Sequence, residues 1–207
     1  MFSKHVQEQD DVLRELENTG KLIQNSIFRS WCKTIVVESN HDNALERWLR
    51  DEPGWYARDP QNALIFLQLQ LAKYEAIARG DPKFLMIEHA LRTYSVLEVG
   101  TARFLREDES YVICPDAGGG IECGMHGYLG PNGAQGGAQA FAKMGRKANV
   151  GHTHQAGIRD GIYTGGTLSY LDLGYNRGPS SWSHSNILTY KNGKRAIVTM
   201  WNSKWRA

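Results

Sequence analysis

The chain has 207 residues, 41% of them hydrophobic and 22% charged, enough apolar material for one domain, or a domain with an insertion, to bury a core, so disorder is excluded as the default reading. Lys and Arg number 24 against 22 Asp and Glu, and a net charge of +2 gives no electrostatic case for nucleic acid or an anionic membrane; such a partner must be argued from a site. No apolar run approaches the roughly 20 residues of a membrane span, and the opening MFSKHVQEQDD has no hydrophobic signal region, so the expectation is a soluble, cytoplasmic chain with no membrane partner.

From Val6 to Phe28, apolar residues recur at near-helical spacing among charges, which predicts an amphipathic helix with Gly20 as its weak point. KTIVVE, residues 33–38, is a β-branched run that predicts a buried strand, ending in the polar turn SNHDN, residues 39–43. Open α/β sheets usually place ligands at such strand ends. Residues 44–97 read as helical, broken at Pro53–Gly54 and at Gly80–Asp81–Pro82, with the run Asn62 to Ala78 as the strongest helix. They are expected to be an inserted cap or a packing element. Residues 98–207 are strand-rich: TARFL, SYVIC, GIYTGG, LSYLDLG, NILTY and RAIVTMW, the last two flanking a KNGK turn that predicts a hairpin. The expected organisation is therefore 1–43, 44–97 and 98–207 within one domain. The cysteines, Cys32, Cys114 and Cys123, are odd in number and lack Cys-x-x-Cys spacing, which argues for buried or incidental thiols.

Three short histidine motifs stand out. SNHD brings Asn40, His41 and Asp42 to a strand end, where a side-chain amide oxygen can ligate a divalent cation, although Asn-His-Asp is also ordinary turn chemistry. His126 sits in a glycine-dense segment, residues 115–137, either as a prominent ligand or as an incidental histidine in a loose loop. GHTH, residues 151–154, places His152 and His154 at alternate positions, which in an extended segment would aim both imidazoles to one side. Together these form an N/O donor set suited to Mn, Fe, Zn or Ni.

In this order, SNHD, a Gly-flanked His and GHTH resemble the second half of the calcineurin-like metallophosphoesterase signature, in which D-x-H, G-D, G-N-H-D/E, a lone H and G-H-x-H follow one another. The glycine-rich GIECGMHG and the closing GPSSWSHSN are similar to phage-encoded members of that family. The resemblance implies an α/β fold: the C-terminal part of a two-sheet sandwich flanked by helices, with a helical insertion. It implies Asn40, His126 and His152 as ligands of one metal of a binuclear pair and His154 as a ligand of the other, with Mn first and Zn, Fe or Ni as alternatives. His41 would then meet the phosphate and protonate the leaving oxygen, oriented by Asp42. In that family two cations neutralise the phosphate oxygens and activate the attacking water.

Two departures from the pattern matter. Ser39 stands where the family has glycine, and no D-x-H or bridging-aspartate block precedes Asn40. Gly80–Asp81 is followed by Pro82 and reads better as a helix-start turn. The expectation is a metal centre only partly encoded here, in a phosphodiesterase or DNA nuclease of phage type whose remaining ligands come from another chain. The alternative is an inactive fragment or accessory half that binds at most one metal or a complementing chain. Trp48, Trp55, Tyr56, Arg47, Arg50 and Arg58 are candidates for stacking on and pairing with a nucleic-acid backbone, or for core and a solvated helix face. His184 reads as a local structural residue more readily than as a substrate contact.

Overall fold

The computed structural model describes residues 11–26, 31–50, 60–98, 102–107, 109–172, 178–201 and 204–205. Pro53–Gly54, Trp55, Tyr56 and Arg58 lie outside the described residues, as does the start of the first expected helix. Helices and strands are mixed along the chain, and it divides into two compact units: residues 1–36 with 40–104, and residues 37–39 with 105–207. This division differs from the expected boundaries at 43 and 97. The reason lies in packing, since the helices of 44–97 share one core with the helix before them.

The first unit is mainly helical. α1 (Val12–Asn25) starts where Asp11 accepts a hydrogen bond from the Arg14 N–H at 3.0 Å, a side-chain N-cap. The Val12 N–H donates to Asn62 Oδ1 at 3.0 Å, which explains a buried asparagine in the helix Pro60–Ala78. α2 (Asn43–Arg50), α3 (Pro60–Ala78) and α4 (Met86–Tyr94) follow. Leu16, Leu49, Ile65, Phe66, Leu69, Met86, Ala90 and Leu91 meet in one cluster. Gly20 is no weak point. A Cβ there would lie 1.9 Å from Ser95 Oγ, so glycine is what lets α1 approach the end of α4. The break after α3 falls where expected, but Gly80–Asp81 ends a helix and does not start one: the Gly80 N–H donates to Ile77 O and the Asp81 N–H to Ala76 O, a Schellman stop, and α4 begins only at Met86. Asp81 Oδ1 accepts from the Lys83 N–H, so this aspartate serves the turn.

β1 (Thr34–Val37) pairs with β2 (Ala102–Leu105) in a two-stranded sheet. The buried strand expected at KTIVVE is half-buried at each of its four strand residues, because it belongs to a pair and not to the middle of a wide sheet.

The second unit holds a five-stranded sheet and a three-stranded one. β3 (Val112–Ile113), β4 (Ile121–Glu122), β5 (Lys147–Val150), β6 (Gly157–Arg159) and β7 (Ile162–Thr164) order as β3-β4-β5-β7-β6. β4, β5 and β7 run parallel, with antiparallel strands on both edges. Ile121, Ala148 and Ile162 are fully buried, and Phe141 of the short α5 (Ala138–Ala142) covers Ala148, Val150 and Ile162. β8 (Ser185–Thr189), β9 (Arg195–Trp201) and β10 (Lys204–Trp205) form the antiparallel sheet. The KNGK hairpin is present, with Thr189 opposite Arg195 and the Tyr190 N–H donating to Lys194 O. Arg195 ties this sheet to the other. Its guanidinium donates to Ala148 O, Gly161 O and Asn149 Oδ1 at 2.7–2.9 Å and lies 3.9 Å from the Tyr163 ring centre.

LSYLDLG is not a strand over its described part, residues 168–172. The Ser169 N–H donates to Thr167 Oγ1, so hydroxyl turn chemistry overrides the apolar pattern and leaves Leu168 and Tyr170 exposed.

Candidate functional site

Two places carry the residues singled out by the sequence, one in each unit. Asn40, His41 and Asp42 are in the first, in the turn between β1 and α2; His126, His152 and His154 are in the second.

In the first unit, Asn40 and Asp42 are half-buried and His41 is exposed. Backbone bonds from the Ala44 N–H to His41 O and from the Leu45 N–H to Asp42 O turn the chain into α2. His41 and Asp42 border a cleft of about 460 Å³ whose other walls include Leu16, Leu45, Trp48 and Ile87, with Glu15 and Thr19 as further polar groups. An apolar cleft with a few polar groups at its edge suits an organic ligand rather than a bare ion. Trp48 contributes a wall while its ring meets Phe66 edge-on at 4.9 Å, so it is a core residue first. Arg47 and Arg50 are exposed.

In the second unit the decisive feature is where two histidines fall. β4 and β5 are adjacent and parallel, and His126 follows the carboxyl end of one while His152 follows the carboxyl end of the other. Ligand sites in open α/β sheets form at such ends. The His126 carbonyl accepts from the N–H groups of both Gly151 and His152, at 2.9 and 3.1 Å, which locks the two loops together. Gly127 permits this. Its φ is +109°, and a Cβ there would press on Val150 at 3.0 Å.

The imidazole rings of His126 and His152 are 5.3 Å apart, edge to face at 72°. Two imidazoles bound to one cation through nitrogens at about 2.1 Å, with a tetrahedral angle between them, have ring centres on the order of 5 Å apart, so this pair fits two positions of one ligand set. Tyr128 completes a triangle of rings, 6.1 Å from His126 and 6.0 Å from His152.

GHTH itself is not extended. Residues 152–154 form a turn in which His154 has a φ of +57° and its N–H donates to Gly151 O, so the one-sided arrangement expected from strand alternation does not hold. His154 is directed to Trp182 instead, with ring centres 4.5 Å apart. Among the described residues no group of three or more His, Cys, Asp or Glu side chains converges as a metal site. What this unit supplies is a pair of imidazoles, with further donors needed to complete a coordination sphere.

Sequence reading missed two acidic residues of this unit. The Tyr128 hydroxyl donates a short hydrogen bond to Glu107 Oε2, and Glu107 Oε1 is buried with no hydrogen-bond partner among the described residues. The Glu107 N–H donates to Glu38 Oε2 at 3.1 Å. In β4, Glu122 is buried at 4% exposure. Burial alone would raise its pKa, yet donors from the Ser110 hydroxyl and the Gly124 and Tyr111 N–H groups hold it below the ordinary carboxylate value. Neither glutamate lies in a motif, so only the tertiary fold reveals them. Burial raises the Cys123 thiol to about 11, which leaves it protonated at neutral pH, whereas Cys32 is exposed; all three thiols are free, as a reading of buried or incidental thiols expects. His184 Nε2 lies 2.9 Å from Ser169 O, consistent with a structural role.

No protein-family model matches the chain. No solved structure matches it either. The chain is similar to "Protein A1" of Escherichia phage T5, with 44% identity over 198 residues, an alignment that covers 96% of this chain and 34% of that protein, so the chain spans about a third of the length of the curated relative it matches.

Proposed function

We propose that this chain contributes to a metal-dependent phosphoesterase, a phosphodiesterase or DNA nuclease of phage type, and that His126 and His152 are cation ligands. The observation that carries the reading is the ring pair at the carboxyl ends of two adjacent parallel strands, 5.3 Å apart. It adds geometry to the resemblance in SNHD, GMHG and GHTH to the calcineurin-like metallophosphoesterases and their two-sheet sandwich. A phage relative fits a setting in the host cytoplasm.

Bound divalent cations, Mn first and Zn, Fe or Ni as alternatives, would neutralise charge on the phosphate and activate water. The chain's own residues bind and orient. The shared carbonyl contact fixes the backbone of the two loops that carry His126 and His152, and their rings already lie 5.3 Å apart. The resemblance gives His41 the role of proton donor to the leaving oxygen, with Asp42 orienting it; within its own unit His41 is exposed beside a cleft of about 460 Å³. Asn40 belongs to the other unit and the His154 ring is directed to Trp182, so their part in a ligand set rests on the resemblance alone.

The test is a Mn(II) titration by calorimetry, with a phosphodiesterase assay on DNA and on a small aryl phosphodiester. Mn(II) is expected to bind, and His126→Ala and His152→Ala each to weaken it by at least about tenfold. Equal affinity in the wild type and both variants would rule the pair out as ligands. A second reading is favoured by the two-donor character of the site among the described residues: an inactive fragment or accessory half that binds at most one metal or a complementing chain. Turnover by the isolated chain, or turnover that appears when a chain carrying D-x-H and G-D blocks is added, supports the first reading; one bound cation and no turnover with such a chain present supports the second.

A further inference from the structure

α3 is apolar on two opposite sides. One side is core, with Ile65, Phe66, Leu69 and Ala76 buried. On the other, Leu64, Leu67, Leu71 and Tyr74 are 68%, 45%, 59% and 62% exposed. Their spacing of three, four and three residues is that of a coiled-coil seam. A scattered exposed leucine is ordinary, but four large apolar side chains in register along one helix form a contiguous patch that a soluble surface rarely shows. The helix needs only its core stripe to dock in its own unit, so the second stripe is unexplained by the fold of that unit.

We infer that a second copy of this chain docks on this seam, with the two α3 helices antiparallel. The spacing itself asks for a helix as the partner, because a and d positions fill the holes of a facing helix. The seam is self-complementary about a two-fold axis. Antiparallel pairing sets Leu67 against the copy's Leu71 and Leu64 against the copy's Tyr74, which covers all four residues. The flanks also agree. Gln68 and Gln70 each lie opposite themselves near the axis, and Glu75 falls opposite Gln61, so no like charges meet. Antiparallel alignment places each helix's N-terminal end beside the other's C-terminal end, which the helix dipoles favour. With the neighbouring Ile77, at 64% exposure, the stripe offers an area on the order of 600 Å² per copy, about 1,200 Å² for the pair, the lower bound of stable interfaces. The inference stands apart from the metal site and does not depend on it.

Sedimentation velocity of the full chain over a wide concentration range tests it. A reversible monomer–dimer equilibrium is expected, and Leu71→Glu, which would bury a carboxylate against leucine, should weaken it by roughly a hundredfold or more. Leu71 is exposed in the single chain, so circular dichroism of the variant should be unchanged. Cysteine cross-linking gives a second readout, in a Cys32→Ser background because Cys32 is exposed. Leu64→Cys with Tyr74→Cys should link two chains on oxidation, and Leu64→Cys alone should not. A chain that remains monomeric at all concentrations, a dimer indifferent to Leu71→Glu, or cross-linking by Leu64→Cys alone would each overturn the arrangement.

Discussion

Glu122 is a buried carboxylate whose cost is met by donors that its own neighbours supply: the Ser110 hydroxyl and the backbone of Tyr111 and Gly124. Because its pKa is held low in the folded state, its contribution is fully present above the ordinary Glu value of about 4.3 and is lost as pH falls through the lower folded value. Urea denaturation should therefore show a midpoint that drops on acidification below about pH 4, and Glu122→Gln should flatten that part of the profile while costing about 1–3 kcal/mol at neutral pH. The Arg146 guanidinium, 4.0 Å away and half exposed, contributes little to this balance. Tyr128 and Glu107 form a similar dependency beside the histidine pair. Tyr128→Phe keeps the ring against His126 and His152 but strips the hydroxyl from a carboxylate whose other oxygen already lacks a partner among the described residues, so a loss of about 1–3 kcal/mol is expected. Combining it with Glu107→Leu, which removes the stranded charge, should cost less than the sum of the single changes, as a double-mutant cycle of melting curves would measure.

Among the elements, α1 and α4 meet where Gly20 faces Ser95. Helix propensity alone favours Gly20→Ala, yet the added methyl would overlap the Ser95 side chain, with Cβ and Oγ at 2.4 and 1.9 Å. Gly20→Ala should thus lower the melting temperature, and Ser95→Gly in the same chain should restore most of the loss; a stabilising Gly20→Ala would show that the helices do not approach this closely. This position also marks what a sequence can reveal. The apolar run Asn62 to Ala78 located α3, the Gly80–Asp81–Pro82 triplet located the break after it, and the Asn192–Gly193 pair located the β8–β9 hairpin, because those signals are local. The close approach at Gly20, the turn that replaces a strand at Thr167–Ser169 and the left-handed His154 in GHTH depend on contacts far along the chain or on single backbone angles that no residue type dictates. The same holds for the site. Alternation predicted a one-sided His152–His154 pair, whereas the ring that meets His152 is that of His126, brought there by the parallel pairing of β4 and β5.

The two compact units have cores of very different size. Among the described residues the first has a cluster of eleven buried apolar residues, with Leu69, Ala90 and Leu91 at almost no exposure, whereas the cluster under the histidine loops holds four, Phe141, Ala148, Val150 and Ile162, with Leu105 and Ile121 buried outside it. Burial of apolar surface is the main favourable term in folding, so a small core makes each member matter more. Phe141 is the largest of the four and fully buried, and its removal would leave a cavity against the strands that carry His126 and His152. Phe141→Ala should cost about 3–5 kcal/mol, enough to open this region locally. Hydrogen exchange is the measurement. Protection should fall in β4, β5 and β7 of the variant while the amides of α1, α3 and α4 keep theirs, and Mn(II) affinity should fall with it, since the histidine loops rest on these strands. Uniform loss of protection in all elements would instead mean that the chain opens as one cooperative unit, and the small core would then be stabilised by more than its own packing.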